Sequence, residues 1–287
     1  RRQRQMCIRD RERVTDMKAR LKFSKIGSMR FIGHLDVMRY FQKAFRRAEI
    51  EVSYSKGFSP HQLMSFASPL GIGLSSDAEY LDVTLEKSDS QEEMIERINA
   101  VMNDEITVKD FTILDDEAKP SMAMLSACDY VICIKPDKDN PLTDDAFAKE
   151  AVRKIKEAEK IEILKKTKRS EKVVDIKPNI YHIENDMDAF KNETKNDYGS
   201  LELDTAFYKP VFYCQLTAGS VVNIKPELVL EAMAKMNGFE YDTLDYQIHR
   251  LEMYADKTAK KGEVHLLYSE TPCSLVPLSE FGKQEMA

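Results

Sequence analysis

The sequence contains no tryptophan, and it has few glycines, prolines and cysteines: ten, ten and five among 287 residues. The cysteines, at positions 7, 128, 133, 214 and 273, form neither a dense disulfide framework nor a CxxC metal or redox pair. No apolar run approaches the ~18 residues of a membrane-spanning helix, and the N-terminus has no apolar signal-peptide core. These absences argue against collagen-like, disulfide-stapled and membrane-spanning proteins, and they indicate a cytoplasmic globular protein.

Common signatures of catalysis are also missing. The sequence has no Gly-rich phosphate loop, no HExxH zinc motif and no nucleophile elbow. Cys128 and Cys133 are five residues apart on a predicted strand, so their side chains should point to opposite faces and should not share a metal. We therefore expect no metal, no bound cofactor and no complete catalytic set in this chain.

What the chain does contain is enough apolar sequence for real cores, at 43% hydrophobic and 32% charged residues. That composition suits one large or two ordinary soluble domains. The first residues differ from the rest, because the string RRQRQMCIRDRER has six arginines and almost no apolar content. It is similar to translated sequencing-adapter read-through, and we expect residues 1–16 to be a non-native leader. The alternative is a basic nucleic-acid-binding arm.

The charge of the chain is unevenly distributed. The net charge is -6, yet residues 17–61 hold ten Lys or Arg against three acidic residues. A basic lobe on an acidic protein favours a local polyanion site, because the acidic remainder repels phosphate elsewhere. The alternative is a chance cluster of cations on a solvated face.

The N-terminal part has the order strand, helix, hairpin with a long arm, helix, strand. Ser90 and Glu93 form a capping box that starts the second helix. The predicted elements are a strand at 18–26, a helix at 34–48, an arm at 53–73, a strand at 80–85, a helix after Ser90 and a strand at 106–114. This βαββαβ order predicts a ferredoxin-like domain over residues 17–114.

A similar order begins again after a polar linker at 115–121. Pro226 suits the first turn of a helix that Gly238 closes. The predicted elements are strands at 128–135, 162–167, 172–176, 211–217 and 246–254, a helix from Thr143 to about Glu159, the helix from Pro226, and an extra strand at 264–268. The predicted fold class is α+β, with two tandem ferredoxin-like (βαββαβ) domains, of which the second, at 122–287, is more decorated.

The first predicted helix has an apolar face and a basic face. Its apolar residues, which should face a core, are Leu35, Met38, Phe41, Phe45 and Ala48. Its basic residues, together with one just before the helix, are the candidate anion or RNA ligands Arg30, Arg39, Lys43, Arg46 and Arg47. The N–H groups of the helix start and the imidazole of His34 are also suited to receive a phosphate.

The arm at 53–73 has ten Ser, Gly or Pro residues in 21, and no acidic residue. Its candidate RNA-binding residues, besides Phe66, are Tyr54, Lys56, Phe58 and His61. Aromatic surface beside positive charge is the combination that stacks on unpaired bases. The alternative is a hairpin whose aromatic side chains only cover the sheet. His34, Asp36 and His61 are the candidate catalytic residues, but the favoured alternative is that His34 is a core residue of the first turn and that Asp36 stabilises the helix start.

Residues Met29 to Leu85, with RFIGHLDVMRYFQKAFRRAEIEVSYSKGFSPHQLMSFASPLGIG and AEYLDVTLE, resemble the radical-SAM-linked protein family. This is a domain of unknown function found beside, or fused to, a cobalamin-binding radical SAM protein. The later strings KVVDIKP and AGSVVNIKPELVLEAM are similar to the family's later blocks, so the resemblance covers nearly all of residues 17–250. One departure is Gln62, near which the family would have a second proline.

The resemblance implies a radical SAM protein as partner. Radical SAM chemistry needs three closely spaced cysteines, usually CxxxCxxC, for an iron–sulfur cluster, and this chain has none. The cluster, S-adenosylmethionine and any cobalamin are therefore expected on the partner. The resemblance carries over no catalytic residues.

Three functions remain open. The first is an accessory protein that presents RNA to a radical SAM enzyme. The second is an RNA-processing endonuclease that uses His34 or His61 as general acid or base. Its basis is a layout similar to CRISPR repeat-RNA endonucleases, although the Gly-rich segment near their C-terminus is missing here. The third is a scaffold that contacts only the partner protein.

Overall fold

The computed structural model describes residues 16–166, 171–260 and 262–281, so the predicted leader lies outside the described residues except for Asp16. The predicted α+β class is confirmed. Eleven strands fall into one nine-stranded mixed sheet and one two-stranded sheet within the described ranges. No helix in these ranges is both long and apolar enough to cross a membrane.

The N-terminal half places two helices on a four-stranded antiparallel part of the large sheet. Its elements are β1 (Met17–Lys25), α1 (His34–Arg47), β2 (Met64–Phe66), β3 (Ser75–Leu85), α2 (Gln91–Asn99) and β4 (Val108–Ile113). The strand order is β4-β1-β3, and β2 pairs with the other edge of β3. The predicted capping box at the start of α2 is present, since Ser90 Oγ accepts from the Glu93 N–H while the Glu93 carboxylate accepts from the Ser90 N–H.

The apolar face of α1 covers the core of this half, with one difference from the prediction. The buried residues of α1 are Val37, Phe41, Ala44 and Phe45. Leu35 was expected in the core and is 59% exposed. At about 100° per residue, Leu35 points away from the centre of the face that these four residues define.

The C-terminal half contains the remaining strands and helices. Its elements are α3 (Ser121–Met124), β5 (Leu125–Ile134), α4 (Asp145–Glu157), β6 (Glu162–Lys166), β7 (Glu171–Asp175), β8 (Ile180–Glu184), α5 (Met187–Thr194), β9 (Lys209–Thr217), α6 (Pro226–Asn237), β10 (Tyr246–Asp256) and β11 (Leu275–Pro277). The order in the large sheet is β10-β5-β9-β8, and β11 pairs with β10. Gly238 ends α6 in the left-handed conformation, at φ 71°, as predicted.

Two strand predictions in this half are corrected. The strands at 162–166 and 171–175 exist, but within the described ranges they form a separate two-stranded sheet, and β8 occupies the expected place in the large sheet. The extra strand expected at 264–268 is wrong, and β11 is the additional strand. His265 instead turns inward, with Nδ1 2.9 Å from Asp256 Oδ2, and the Leu266 N–H donates to Ser269 Oγ to form a turn.

The two halves share one sheet through a short parallel contact between β3 and β10. His249 and Arg250 of β10 pair with Ser75 and Ser76 of β3. The C-terminal segment also returns to the N-terminal half, because the buried Arg20 guanidinium donates to the carbonyl oxygens of residues 119, 278 and 281. The contact between β3 and β10 therefore brings charged side chains of both halves together.

Candidate nucleic-acid interface and adjoining polar cluster

Residues 53–63 form a hairpin that we call the finger. The Ser55 N–H donates to the His61 carbonyl over 2.8 Å, and Tyr54 bridges Gln62 across the hairpin. At its base the Ser53 N–H donates to the Thr84 carbonyl, which anchors the finger to the end of β3. The finger therefore projects from an ordered part of the sheet.

The four predicted RNA ligands of the arm all lie on the finger and are exposed. Phe58 is fully exposed near the tip, Tyr54 is 50% exposed, and Lys56 and His61 face solvent. His61 Nδ1 lies 2.8 Å from Ser55 Oγ, which orients the imidazole. The expectation for Phe66 is wrong, because this residue is buried beside Phe23 and Phe41 in the core.

The basic face of α1 directly precedes the finger in the chain. Arg39, Lys43, Arg46 and Arg47 are all exposed. Arg39 pairs with Asp36 at 3.2 Å in an exposed ion pair, which has little energetic weight. We call this face and the finger together the basic lobe. It combines four cations on a helix with a projecting aromatic hairpin.

The predicted ligand Arg30 lies elsewhere. Its guanidinium sits 4.7 Å from the Phe31 ring centroid and 5.8 Å from that of Tyr208 in the C-terminal half. It is also close enough to Lys135 to help burial lower the pKa of that lysine. The structure thus separates Arg30 from the basic face of α1.

His34 is half-buried and packs against a core aromatic residue. Its ring makes an edge contact with Phe66 at 5.0 Å between centroids, and it lines a cavity of only about 10 Å³. Burial lowers the pKa of His34, which keeps the imidazole neutral at physiological pH. Asp36, in contrast, is exposed on the first turn of α1. The contacts of His34 and His61 share no residue, so the structure does not join the two histidines in one site.

A buried polar cluster lies behind His34 at the contact between the halves. Lys25, Glu79 and Arg250 are 2%, 4% and 5% exposed. Arg250 Nη1 donates to Glu79 Oε1 over 2.8 Å, and the guanidinium stacks 5.6 Å from the ring of Tyr130. Lys25 Nζ donates to the Ile32 carbonyl just before α1. We call these four side chains the junction cluster.

Burial and neighbouring charge perturb the groups of the junction cluster in opposite directions. Burial raises the pKa of Glu79, although Arg250 partly offsets it, and burial lowers the pKa of Lys25. For Arg250 burial acts to lower the pKa, but Glu79 and Tyr130 raise it above its ordinary value. Burial also raises the pKa of Cys128 to about 12, so this neighbouring thiol stays protonated and unreactive at neutral pH.

A second buried carboxyl group is that of Asp129 on β5, which lies between β9 and β10 in the sheet. Asp129 accepts hydrogen bonds from the hydroxyls of Tyr198 and Tyr254. Burial raises the pKa of Asp129 to about 7, although the tyrosine hydroxyls act to lower it. The folded protein therefore holds a proton on Asp129 over a pH range in which an unfolded aspartate is ionised.

This shift predicts a pH-dependent stability. Between about pH 4 and pH 7 the folded state binds one more proton than the unfolded state, so the free energy of unfolding falls as the pH rises through that window. Asp129→Asn should flatten the fall, because asparagine does not titrate. Urea unfolding of both proteins at pH 5 and pH 8 tests this. An equal pH dependence in the two proteins would contradict the assignment.

Sequence reasoning missed the junction cluster and Asp129. One signal was present: the predicted strand at 246–254 carries His249, Arg250 and Glu252 within four residues, and ionisable residues that occupy both faces of a strand are unusual. All eleven residues of β10 are buried. The partners of these charges could not be found from the sequence, because they come from strands more than a hundred residues away.

The described residues offer no set of ligands for a metal. Among them no group of three or more His, Cys, Asp or Glu side chains could hold a metal ion. Cys128 and Cys133 belong to different core clusters on opposite faces of β5, as predicted. The described residues therefore do not fit an iron–sulfur cluster.

The comparisons with known proteins give a family and no activity. No curated protein matches the chain. Residues 18–226, which include the basic lobe, most of the junction cluster and the start of α6, match a family described as an uncharacterized protein conserved in bacteria (DUF2344). Since this match spans well over half of the sequence, the chain belongs to the DUF2344 family.

Proposed function

We propose that this protein binds RNA through its basic lobe and presents it to a radical SAM enzyme. RNA binding is proposed because of the finger, whose aromatic and basic side chains face solvent instead of covering the sheet. Exposed aromatic rings beside cations bind unpaired bases by stacking while the cations contact phosphate. The partner follows from the sequence resemblance of residues 29–85 and the later strings to the radical-SAM-linked family.

The chemistry in this proposal belongs to the partner. The partner would contribute the iron–sulfur cluster, S-adenosylmethionine and any cobalamin, while this chain binds and orients the RNA. The position of His34 supports an accessory role over RNA cleavage, because its ring packs edge-on against Phe66 and shares no contact with His61, the other candidate for acid or base. The four described cysteines are free, which suits the reducing cytoplasm where we place the protein.

We further propose that the two halves are a duplicated ferredoxin-like unit. In the N-terminal half the strands lie in the order β4-β1-β3-β2, and in the C-terminal half in the order β10-β5-β9-β8. Numbered within each half, both orders are 4-1-3-2 with antiparallel neighbours, which supports the βαββαβ interpretation.

Phe58→Ala should weaken RNA binding without affecting the fold. Phe58 is fully exposed, so its removal leaves no cavity in the core. Stacking of one base on an aromatic ring is worth roughly 1–3 kcal/mol, so Kd for a short single-stranded RNA should rise roughly 5- to 150-fold. Fluorescence anisotropy with a labelled oligonucleotide measures the change.

Tyr268→Ala provides the matched control, because Tyr268 is also an exposed aromatic residue, at 64%, but lies outside the basic lobe. Its Kd should equal that of the unmodified protein. An unchanged Kd for Phe58→Ala, or an equal loss for Tyr268→Ala, would remove the finger from the RNA site.

A further inference from the structure

A cluster of exposed apolar side chains lies at the start of α1, near the point where β3 meets β10. The Gly73 N–H donates to the Arg30 carbonyl over 2.9 Å, which places the turn that contains Ile72 beside Phe31. Leu35 follows Phe31 by four positions, on the exposed side of α1. Phe31, Leu35 and Ile72 are 59%, 59% and 67% exposed. Large apolar side chains that are exposed together indicate a binding surface.

The C-terminal half extends this surface through Arg30. The Arg30 guanidinium lies 4.7 Å from the ring centroid of Phe31 and 5.8 Å from that of Tyr208. Tyr208 packs edge-on against Phe207 with 4.9 Å between centroids, and Phe207 is 54% exposed. Contacts through one guanidinium therefore link two exposed aromatic rings, one from each half. We call this surface the platform, and its residues are Arg30, Phe31, Leu35, Ile72 and Phe207.

The charge at the platform is positive. The Arg30 guanidinium packs on aromatic rings, while the neighbouring carboxylate of Glu105 hydrogen-bonds to the two residues before Arg30 instead. Burial lowers the pKa of Lys135, and Arg30 lowers it further, so the two cations lie close together. Asp245, which acts in the opposite direction on Lys135, forms its ion pair with Lys138 at 3.2 Å. An excess of positive charge therefore adjoins the exposed rings.

The platform and the finger lie at opposite ends of α1. β1 and β3 pair along their length, with Lys25 near Ser76 at one end and Met17 opposite Leu85 at the other. The platform begins five residues after Lys25, whereas Val52, just before the finger, bridges Leu85. α1 has 14 residues and is therefore about 21 Å long. Its basic face lies between the two sites.

We propose that the platform is a second base-stacking site for the same RNA, so that one single strand follows the basic face of α1 from the platform to the finger. This inference rests on the proposed RNA binding. Aromatic rings beside cations suit bases and phosphates, which alternate along a single strand. A protein partner would have to bring carboxylates to the same cations. A strand that reaches both sites gains affinity, because its second contact is intramolecular.

Phe31→Ala and Phe207→Ala test the platform in the full chain. The probe is a labelled oligouridylate of about 16 nucleotides, at the upper end of the site sizes of single-strand-binding modules. Both rings are more than half exposed, so their removal leaves no cavity in the core. Each variant should raise Kd roughly 5- to 150-fold, the loss of one stacked base. The control Tyr268→Ala, an exposed aromatic residue outside the platform, should leave Kd unchanged.

Conservative variants at Phe31 distinguish stacking from simple apolar contact. Phe31→Tyr keeps an aromatic ring and should bind the oligouridylate like the unmodified protein. Phe31→Leu keeps an apolar side chain without a ring and should lose about as much affinity as Phe31→Ala. Equal binding by Phe31→Leu and the unmodified protein would overturn the stacking site.

The salt dependence of binding tests the cation of the platform. Each phosphate contact to a single strand contributes about 0.7 to the slope of log K against log salt, so Arg30→Gln should flatten the slope by about that amount. Lys149→Gln, which removes an exposed cation of α4, should leave the slope unchanged. An equal slope in Arg30→Gln and the unmodified protein would contradict a phosphate contact at the platform.

The failure of this inference can be distinguished from the failure of the proposed function. A loss of affinity in Phe58→Ala with an unchanged Kd in Phe31→Ala and Phe207→Ala would overturn the platform and leave the finger as the RNA site. No binding of the oligouridylate by the unmodified protein would overturn both. Loss of a co-purifying radical SAM protein in Phe31→Ala, with an unchanged Kd for RNA, would also overturn the inference and identify a protein-docking surface.

Discussion

Charge reversal of Arg39, Lys43 and Arg46 to glutamate should weaken binding of single-stranded RNA by about 100-fold or more. Each of these cations is exposed on α1 and close in the chain to the finger. Each phosphate contact releases a counterion, and for single strands the slope of log K against log salt changes by about 0.7 per contact. The variant should therefore lose affinity at low salt and show a much flatter salt dependence.

The control for this experiment has the same change in net charge. Lys149, Lys172 and Lys235 are exposed cations outside the basic lobe, and their reversal to glutamate should change affinity only through the long-range field, which salt screens. Circular dichroism checks that both triple variants fold. An equal loss in the two variants would mean that RNA responds to overall charge and not to the basic lobe.

Arg250→Leu should destabilise the fold by about 3–5 kcal/mol, the usual cost of removing one partner from a buried ion pair. The Arg250 and Glu79 side chains are 6% and 5% exposed, so Glu79 would remain buried without its closest cation. Glu79→Leu should have an effect of similar size, because it leaves two buried cations, Arg250 and Lys25, without their carboxylate. Urea unfolding measures the free energies.

The double variant Arg250→Leu with Glu79→Leu distinguishes an ion pair from simple packing. Because both charges are removed together, the double variant should be more stable than the less stable of the two single variants. Additive losses would show that the two side chains act independently.

Local features of the fold could be predicted from the sequence, because they rest on short-range chemistry. Three such features depend on residues within a few turns of one another: the capping box at Ser90, the helix between Pro226 and Gly238, and the two faces of α1. The exposed cations of the basic lobe follow from the same periodicity. The finger could be predicted for the same reason, because a hairpin depends on residues that are close together in the chain.

Long-range pairing could not be predicted in the same way. Nothing local to Ser75 or His249 indicates that β3 and β10 meet in parallel over two residue pairs. The pairing of Arg250 with Glu79 spans 171 positions of the chain. The hairpin of β6 and β7 was predicted as two strands of the main sheet because their patterns resemble sheet strands, and only tertiary packing places them outside it. The sites that depend on such contacts were therefore missed.

The most direct test of the central claim is a pull-down of the full chain, co-expressed with a radical SAM protein encoded beside a close relative, after crosslinking to RNA. We expect partner and RNA both to co-elute. We also expect the triple reversal at Arg39, Lys43 and Arg46 to remove the RNA but keep the partner, and His34→Ala to change neither. Partner without RNA would contradict RNA presentation and leave a scaffold. Cleaved RNA whose cleavage stops in His34→Ala would instead identify a nuclease.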